Sequence, residues 1–150
     1  MDADKFIGAQ NPIINIVLSE LRSGRKKTHW IWFIFPQLKE LGQSDMAIHF
    51  GLDGLQDARD WLAHPILSAR LLDCTRAVLM HPKKPIGSIM EFPDDLKLHS
   101  NITLFQLANP SQQLFTKLLK VFYKGQPDLN TLELLNKSFS FLPLQSSGKI

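Results

Sequence analysis

Thr28-His29-Trp30-Ile31-Trp32-Phe33-Ile34-Phe35-Pro36-Gln37 is the most unusual stretch of this 150-residue chain, six consecutive large apolar residues set between a basic run and a proline. The block is too short for hydrophobic period to separate a buried strand from a buried helical turn. Its aromatic and β-branched content leans toward extended structure, and Pro36 presses Phe35 toward extended geometry in either case. It is also far too short to cross a bilayer, which takes about 20 residues. The block therefore belongs inside a protein core. Its conformation decides whether an otherwise helical fold carries one short extended segment at 30–35.

Everything outward from the block reads as helix. Toward the N-terminus, Asn11-Pro12 has the chemistry of an N-cap followed by a first helical residue. Ile13, Ile14, Val17, Leu18 and Leu21 repeat at helical spacing, and Gly24 can supply a left-handed stop. Toward the C-terminus, Ser44 caps a short helix that ends at Gly51, and Asp53 or Gly54 opens another with Leu55, Ala58, Trp61 and Leu62. Pro65 opens a longer helix to about Met80, with Leu67, Leu71, Cys74, Val78 and Leu79 on one stripe. Pro93-Asp94-Asp95 starts the next, Asn109-Pro110 caps one that runs to Gly125, and Asp128 or Thr131 begins a last one through Leu135. With no repeat and no linker, the expected fold is mainly α, a single compact multi-helix domain over 1–137. Residues 138–150 form a Ser-rich tail, either loosely packed or laying Phe139, Phe141 and Leu142 across the core surface.

Composition supports one self-sufficient core. Hydrophobic residues make up 44% of the chain and charged residues 21%, with none of the bias that marks disorder. A lone cysteine, Cys74, allows no internal disulfide, and on the apolar stripe it reads as a small buried hydrophobe. His29, His49, His64, His81 and His99 lack the one-turn spacing of a ligand pair, so no metal is expected. Neither a glycine-rich phosphate loop nor a flavin or nicotinamide fingerprint is present, so no cofactor is expected. The first residues, with Asp2, Asp4 and Lys5, do not resemble a signal peptide, and the expectation is a cytoplasmic protein without a membrane partner. The net charge is only +3. If Arg22, Arg25, Lys26 and Lys27 all met phosphates, the salt slope would be only about −3.6, so nucleic acid is not the expected partner.

Two segments are more polar than packing alone requires. In the first, Arg25, Lys26 and His29 adjoin Trp30, Trp32 and Gln37, a composition suited to stacking a ring while holding a phosphate. The competing reading makes the tryptophans core residues and the cations a solvated helix end that favours the dipole. In the second, Pro93 to Thr103, Asp95 and His99 fall one turn apart if the segment is helical, with Asp94, Lys97, Ser100 and Asn101 nearby. An Asp beside a His can orient a general base, and a lysine can stabilise developing negative charge. The plainer reading is a capped helix start with ordinary surface pairs.

Phe6, Ala9-Gln10, Glu20-Leu21, Gly24-Arg25-Lys26, the His29–Gln37 run and Leu41-Gly42 resemble the family catalogued as domain of unknown function 1810. Ala63-His64-Pro65, Asp95-Leu96-Lys97-Leu98 and Ser100-Asn101-Ile102-Thr103-Leu104-Phe105 extend the resemblance over most of residues 5–135. It implies a mostly helical fold and no established reaction. Some family members carry a calpastatin label, which does not suit a globular chain. His99 stands where the family pattern has arginine, which shifts the catalytic expectation from His99 to Asp95 and Lys97. The resulting expectation is a site for a phosphorylated or nucleotide-like small molecule, served by a hydrolase or transferase activity if there is chemistry. Arg25, Lys26, His29, Trp30, Trp32, Gln37 and Ser100 would bind the ligand. The alternative is a non-enzymatic protein-interaction module that docks through the Trp/Phe-rich segment.

Overall fold

The computed structural model describes residues 1–140, with side chains through Lys137. Its first helix, α1 (Ala3–Gln10), was not anticipated by the sequence pattern. Asp2 caps it by accepting from Lys5 N–H at 3.2 Å, and Phe6 and Gln10 are its buried residues. This helix also displaces the expected cap at Asn11. The Asn11 N–H closes α1 on Ile7 O, while its side-chain oxygen accepts from Arg70 at 2.8 Å. The chain turns through Asn11–Ile13, and α2 (Ile14–Arg22) starts two residues later than Pro12 suggested.

The lean of the aromatic block toward extended structure is corrected: Ile31–Ile34 form one helical turn, α3, closed by Phe35 N–H on Ile31 O at 3.0 Å. A strand needs a ladder, and no strand exists among the described residues to supply one. Side chains bind the backbone here instead. Gln10 donates to Phe33 O at 2.8 Å and Asn101 donates to Pro36 O at 2.7 Å. Tertiary contacts of this kind override β-propensity.

The remaining helices follow the sequence pattern closely. They are α4 (Asp45–His49), capped by Ser44, α5 (Leu55–Ala63) and α6 (Pro65–Leu79). A short α7 (Ile86–Ile89) precedes α8 (Asp94–Ala108), α9 (Gln113–Tyr123) and α10 (Leu129–Ser140). His64 caps α6 by accepting from Ile66 and Leu67 N–H on Nδ1. Gln112, rather than Asn109, caps α9. Asp128 caps α10, accepting from Thr131 N–H at 3.0 Å. Since α10 continues to Ser140, the helical part of the domain runs past 137; the remainder of the expected tail, 141–150, lies outside the described residues.

The fold is all-helical among the described residues, with one isolated parallel bridge between Leu38 and Leu52. Helix α6 packs on α2 and α9, and α8 packs between α5 and α9. An aromatic series links these layers: Phe6 to Trp61 at 4.8 Å and Trp61 to Phe105 at 6.0 Å, both edge-on, and Phe105 to Phe115 at 6.1 Å, tilted. Cys74 is fully buried, and burial together with the neighbouring Asp73 charge pushes its thiol up to about 12, which keeps it inert. No helix among the described residues is long and apolar enough to cross a membrane.

Candidate functional site

The basic loop after α2 is held from below by one carboxylate. Gly24 follows the helix at φ +82°, a left-handed conformation that favours glycine. Glu20 then collects four donors: Lys27 N–H at 2.9 Å, Thr28 N–H at 3.1 Å, Thr28 O–H at 2.7 Å and Trp30 Nε1–H at 3.0 Å. Burial opposes its ionisation, but the hydrogen bonds outweigh that cost and hold its carboxyl below the ordinary range. The effect is to fix residues 24–30 as a rigid rim. Glu20 was not singled out from sequence. The available signal was a carboxylate three residues after Val17 and one before Leu21, at the edge of the apolar stripe.

The two polar segments do meet. Lys26 Nζ lies 2.8 Å from Asp94 and donates to Thr28 O at 2.6 Å, with its charge 4.7 Å from the centre of the Trp30 ring. Lys97 Nζ stands 3.9 Å from the other Asp94 oxygen and 5.6 Å from the centre of the Trp32 ring. Asp94 thus bridges two lysines, one from each segment. Arg25 reaches Glu91 at 3.6 Å, an exposed pair worth little to stability. Between the segments opens a cleft of about 260 Å³, walled by Lys26 to His29 on one side and Glu91 to Asp94 on the other. Phe92, 76% exposed, stands on its edge, and the Phe92–Pro93 peptide is cis.

The expected site residues divide into those at the cleft and those elsewhere. Lys26 and His29 belong to its basic wall, although Lys26 is already committed to Asp94, while Arg25 stands outside the lining and pairs with Glu91. Trp30 is fully buried and bound to Glu20, so its ring is core. Trp32, Gln37 and Lys97 line a separate cavity of about 10 Å³, room for roughly one water. Trp32 Nε1 and the buried Asn101 Oδ1 have no hydrogen-bond partner among the described residues.

Asp95 and Ser100 face away. Asp95 accepts from Leu96 N–H, its carbonyl accepts from the Tyr123 hydroxyl at 2.7 Å, and Ser100 donates to Asp128 at 3.1 Å. Burial and the Asp95 charge push the Tyr123 phenol up. His99 stacks on Tyr123 at 4.0 Å, with Nε2 2.7 Å from Gln126 O. Asp95 and Lys97 leave the helix about 200° apart, so the expected catalytic pair is not assembled. Lys27, Thr28, Glu91, Phe92, Pro93 and Asp94 are cleft residues that were not selected as site residues from sequence. Nor does the aromatic run offer a docking face, since Trp30, Ile31, Phe33, Ile34 and Phe35 are all buried.

An all-helical domain with a rigid basic loop and a cleft, but with no group of three or more His, Cys, Asp or Glu that could hold a metal among the described residues, defines the class of protein. The chain belongs to the family described as protein of unknown function DUF1810, which matches residues 1–135. It is similar to the solved structure of the conserved hypothetical protein Rv1873 from Mycobacterium tuberculosis. The two share 43% identity and a TM-score of 0.86, over 88% of this chain and 94% of that one. No curated protein matches the chain.

Proposed function

We propose that the cleft between residues 26–29 and 91–94 binds a small phosphorylated ligand bearing a flat ring, a nucleotide-like molecule. One observation carries the reading. The side chains of Lys27 and His29 have no hydrogen bond or ion pair among the described residues, and they line the same cleft as the exposed Phe92 ring. Elsewhere on this surface the cations are spent internally, Lys26 on Asp94 and Lys84 on Gly24 O. An unpaired lysine ammonium and an imidazole N–H suit phosphate oxygens, and a protruding aromatic face suits a base or similar ring. The volume lies just below the usual range of about 300–1,000 Å³ for ligand pockets, which favours a mononucleotide or sugar phosphate over a dinucleotide.

A hydrolase or transferase reaction on that ligand is the finer form of the proposal. The groups lining the cleft for such a step are His29 and the Lys26–Asp94 pair, in place of Asp95 with Lys97. The test is a thermal-shift series with inorganic phosphate, nucleoside monophosphates, NAD, ADP-ribose and sugar phosphates. A ligand at 100 times its Kd adds about 2.7 kcal/mol, a shift of several degrees for a domain of this size. The expected shift disappears in Lys27→Ala and Phe92→Ala, both exposed positions whose variants should keep the unliganded Tm. A flat response across the series, or a shift indifferent to both substitutions, overturns the proposal. Turnover of the bound compound separates an enzyme from a receptor.

A further inference from the structure

The basic surface does not stop at the cleft. Residues 22–29 and 81–84 hold six of the chain's 17 lysines and arginines and no carboxylate. The fold stitches these segments, 60 residues apart, into one piece: Lys84 Nζ donates to Gly24 O at 3.0 Å, and His81 Nε2 lies 2.9 Å from Leu21 O. Beside them, Lys26 N–H donates to Ile89 O at 2.7 Å, and Arg25 reaches Glu91, a cleft residue, at 3.6 Å. Cations therefore continue from the cleft past Arg25 to the 81–84 turn. Little in the fold neutralises them. Gly24 O takes one N–H of the Lys84 ammonium but leaves its charge without a carboxylate. Lys83 is exposed and has no ion pair among the described residues. The Arg25–Glu91 pair is exposed on both sides, so it gives way at small cost.

Resting on the reading of the cleft as a ligand site, we propose that its ligand carries a chain of phosphates, as a nucleoside di- or triphosphate does, and that the outer phosphates leave the cleft for Arg25, Lys83 and Lys84. The two walls set the direction. Phe92 stands on the 91–94 side, so a ring stacked on it presents its first phosphate to Lys27 and His29 opposite. Beyond that wall the next cations are Arg25 and the 81–84 turn. The volume agrees, since about 260 Å³ suits one nucleotide unit and leaves further phosphates outside. Arg25 brings a planar fork that matches phosphate oxygens, a geometry its single contact with Glu91 does not use. A single strand of nucleic acid would also follow cations, but it needs stacking faces for successive bases. Phe92 is the one exposed phenylalanine, tyrosine or tryptophan among the described residues, which fits a ligand with one ring.

The experiment is calorimetric titration of the full chain with the mono-, di- and triphosphates of adenosine, guanosine, cytidine and uridine. EDTA is present, so that only the protein's own cations meet the phosphates. For the base that binds, the di- or triphosphate should bind at least about tenfold more tightly than the monophosphate, through added charge-assisted contacts at the rim. Arg25→Ala and Lys83→Ala, both at exposed positions, should each cut that ratio at least about threefold. Lys27→Ala should weaken all three members of the series and preserve the ratio. Equal binding of mono-, di- and triphosphate, or a preference indifferent to both rim substitutions, overturns the inference while the cleft reading stands. Silence from every nucleotide and from inorganic phosphate sinks the cleft reading and the inference with it. Two controls in the same buffer complete the test. Inorganic tripolyphosphate binding as tightly as the triphosphate, or a short thymidine oligonucleotide binding more tightly, overturns the inference in favour of general polyanion attraction or a nucleic-acid surface.

Discussion

Helix α8 presents two polar faces that look alike in sequence and do opposite work. One face carries Asp94, Lys97 and Asn101 toward the aromatic block, through two lysine contacts and the hydrogen bond to Pro36 O. The other carries Asp95, His99 and Ser100 toward the end of α9 and the start of α10, where Tyr123, Gln126 and Asp128 receive them. The second face is more closed: His99 and Ser100 bond to Gln126 and Asp128, and the Asp95 main-chain carbonyl accepts from Tyr123. Among the described residues, the first leaves the Asn101 amide oxygen and the Trp32 indole N–H without a hydrogen-bond partner, and it borders the cleft that Lys27 and His29 line. Unspent polarity, rather than polarity as such, marks the side of the molecule where a ligand can act.

The strongest way to break this contrast is to remove the support beneath the first face. Glu20→Ala strips four hydrogen bonds at once and leaves the buried Trp30 indole without an acceptor. A loss of about 3–5 kcal/mol is expected in urea unfolding, together with loss of the ligand response. Glu20 also gives this region a pH signature. Its folded carboxyl titrates below the ordinary 4.5, so its stabilisation is complete above about pH 4.5 and disappears as pH falls through the lower folded value. Glu20→Gln should flatten that acid limb; an unchanged limb would place the pH dependence in other carboxylates.

Asn101→Ala tests the junction between α8 and the aromatic block. The side chain is fully buried, and its loss strands the Pro36 carbonyl, so about 2 kcal/mol should be lost. On the opposite face, Asp128→Ala removes the acceptor shared by Ser100, the Thr131 hydroxyl and Thr131 N–H. Loss of this cap should cost about 1–2 kcal/mol and leave the thermal shift by ligand intact. A ligand response that falls in Asp128→Ala would erase the distinction between the faces.

The regular helices were legible because local rules govern them. Pro65, Ser44 and the stripe from Leu67 to Val78 act through near neighbours, and α4 and α6 begin where those residues indicate. The 30–35 block was ambiguous for a physical reason. Its conformation is set by Gln10, Glu20 and Asn101, which reach it from 10 to 65 residues away. Asn11 misled for the same reason, since Arg70 claims the side chain that would otherwise cap α2. The two polar segments singled out in the sequence both contribute to the cleft, but it is Asp94, not the selected Asp95, that faces Lys26. A difference of one residue is about 100° around a helix, and only the packing direction of α8 tells which carboxylate faces Lys26.

The smallest expected effect concerns Lys97, and it is informative because it is small. Its ammonium is partly exposed, 3.9 Å from one oxygen of an Asp94 carboxylate whose other oxygen pairs with Lys26, and 5.6 Å from the Trp32 ring centre. An ion pair and a cation–π contact of that kind together contribute on the order of 1 kcal/mol or less, and salt weakens both. Lys97→Ala should therefore shift the urea midpoint only slightly, and by less at high ionic strength, while changing the emission of the neighbouring Trp32. A loss above about 2 kcal/mol would mean that Lys97 and Lys26 hold Asp94 as one buried unit. The first face of α8 would then be as closed as the second, and Lys27 and His29 alone would be left for a ligand in the cleft.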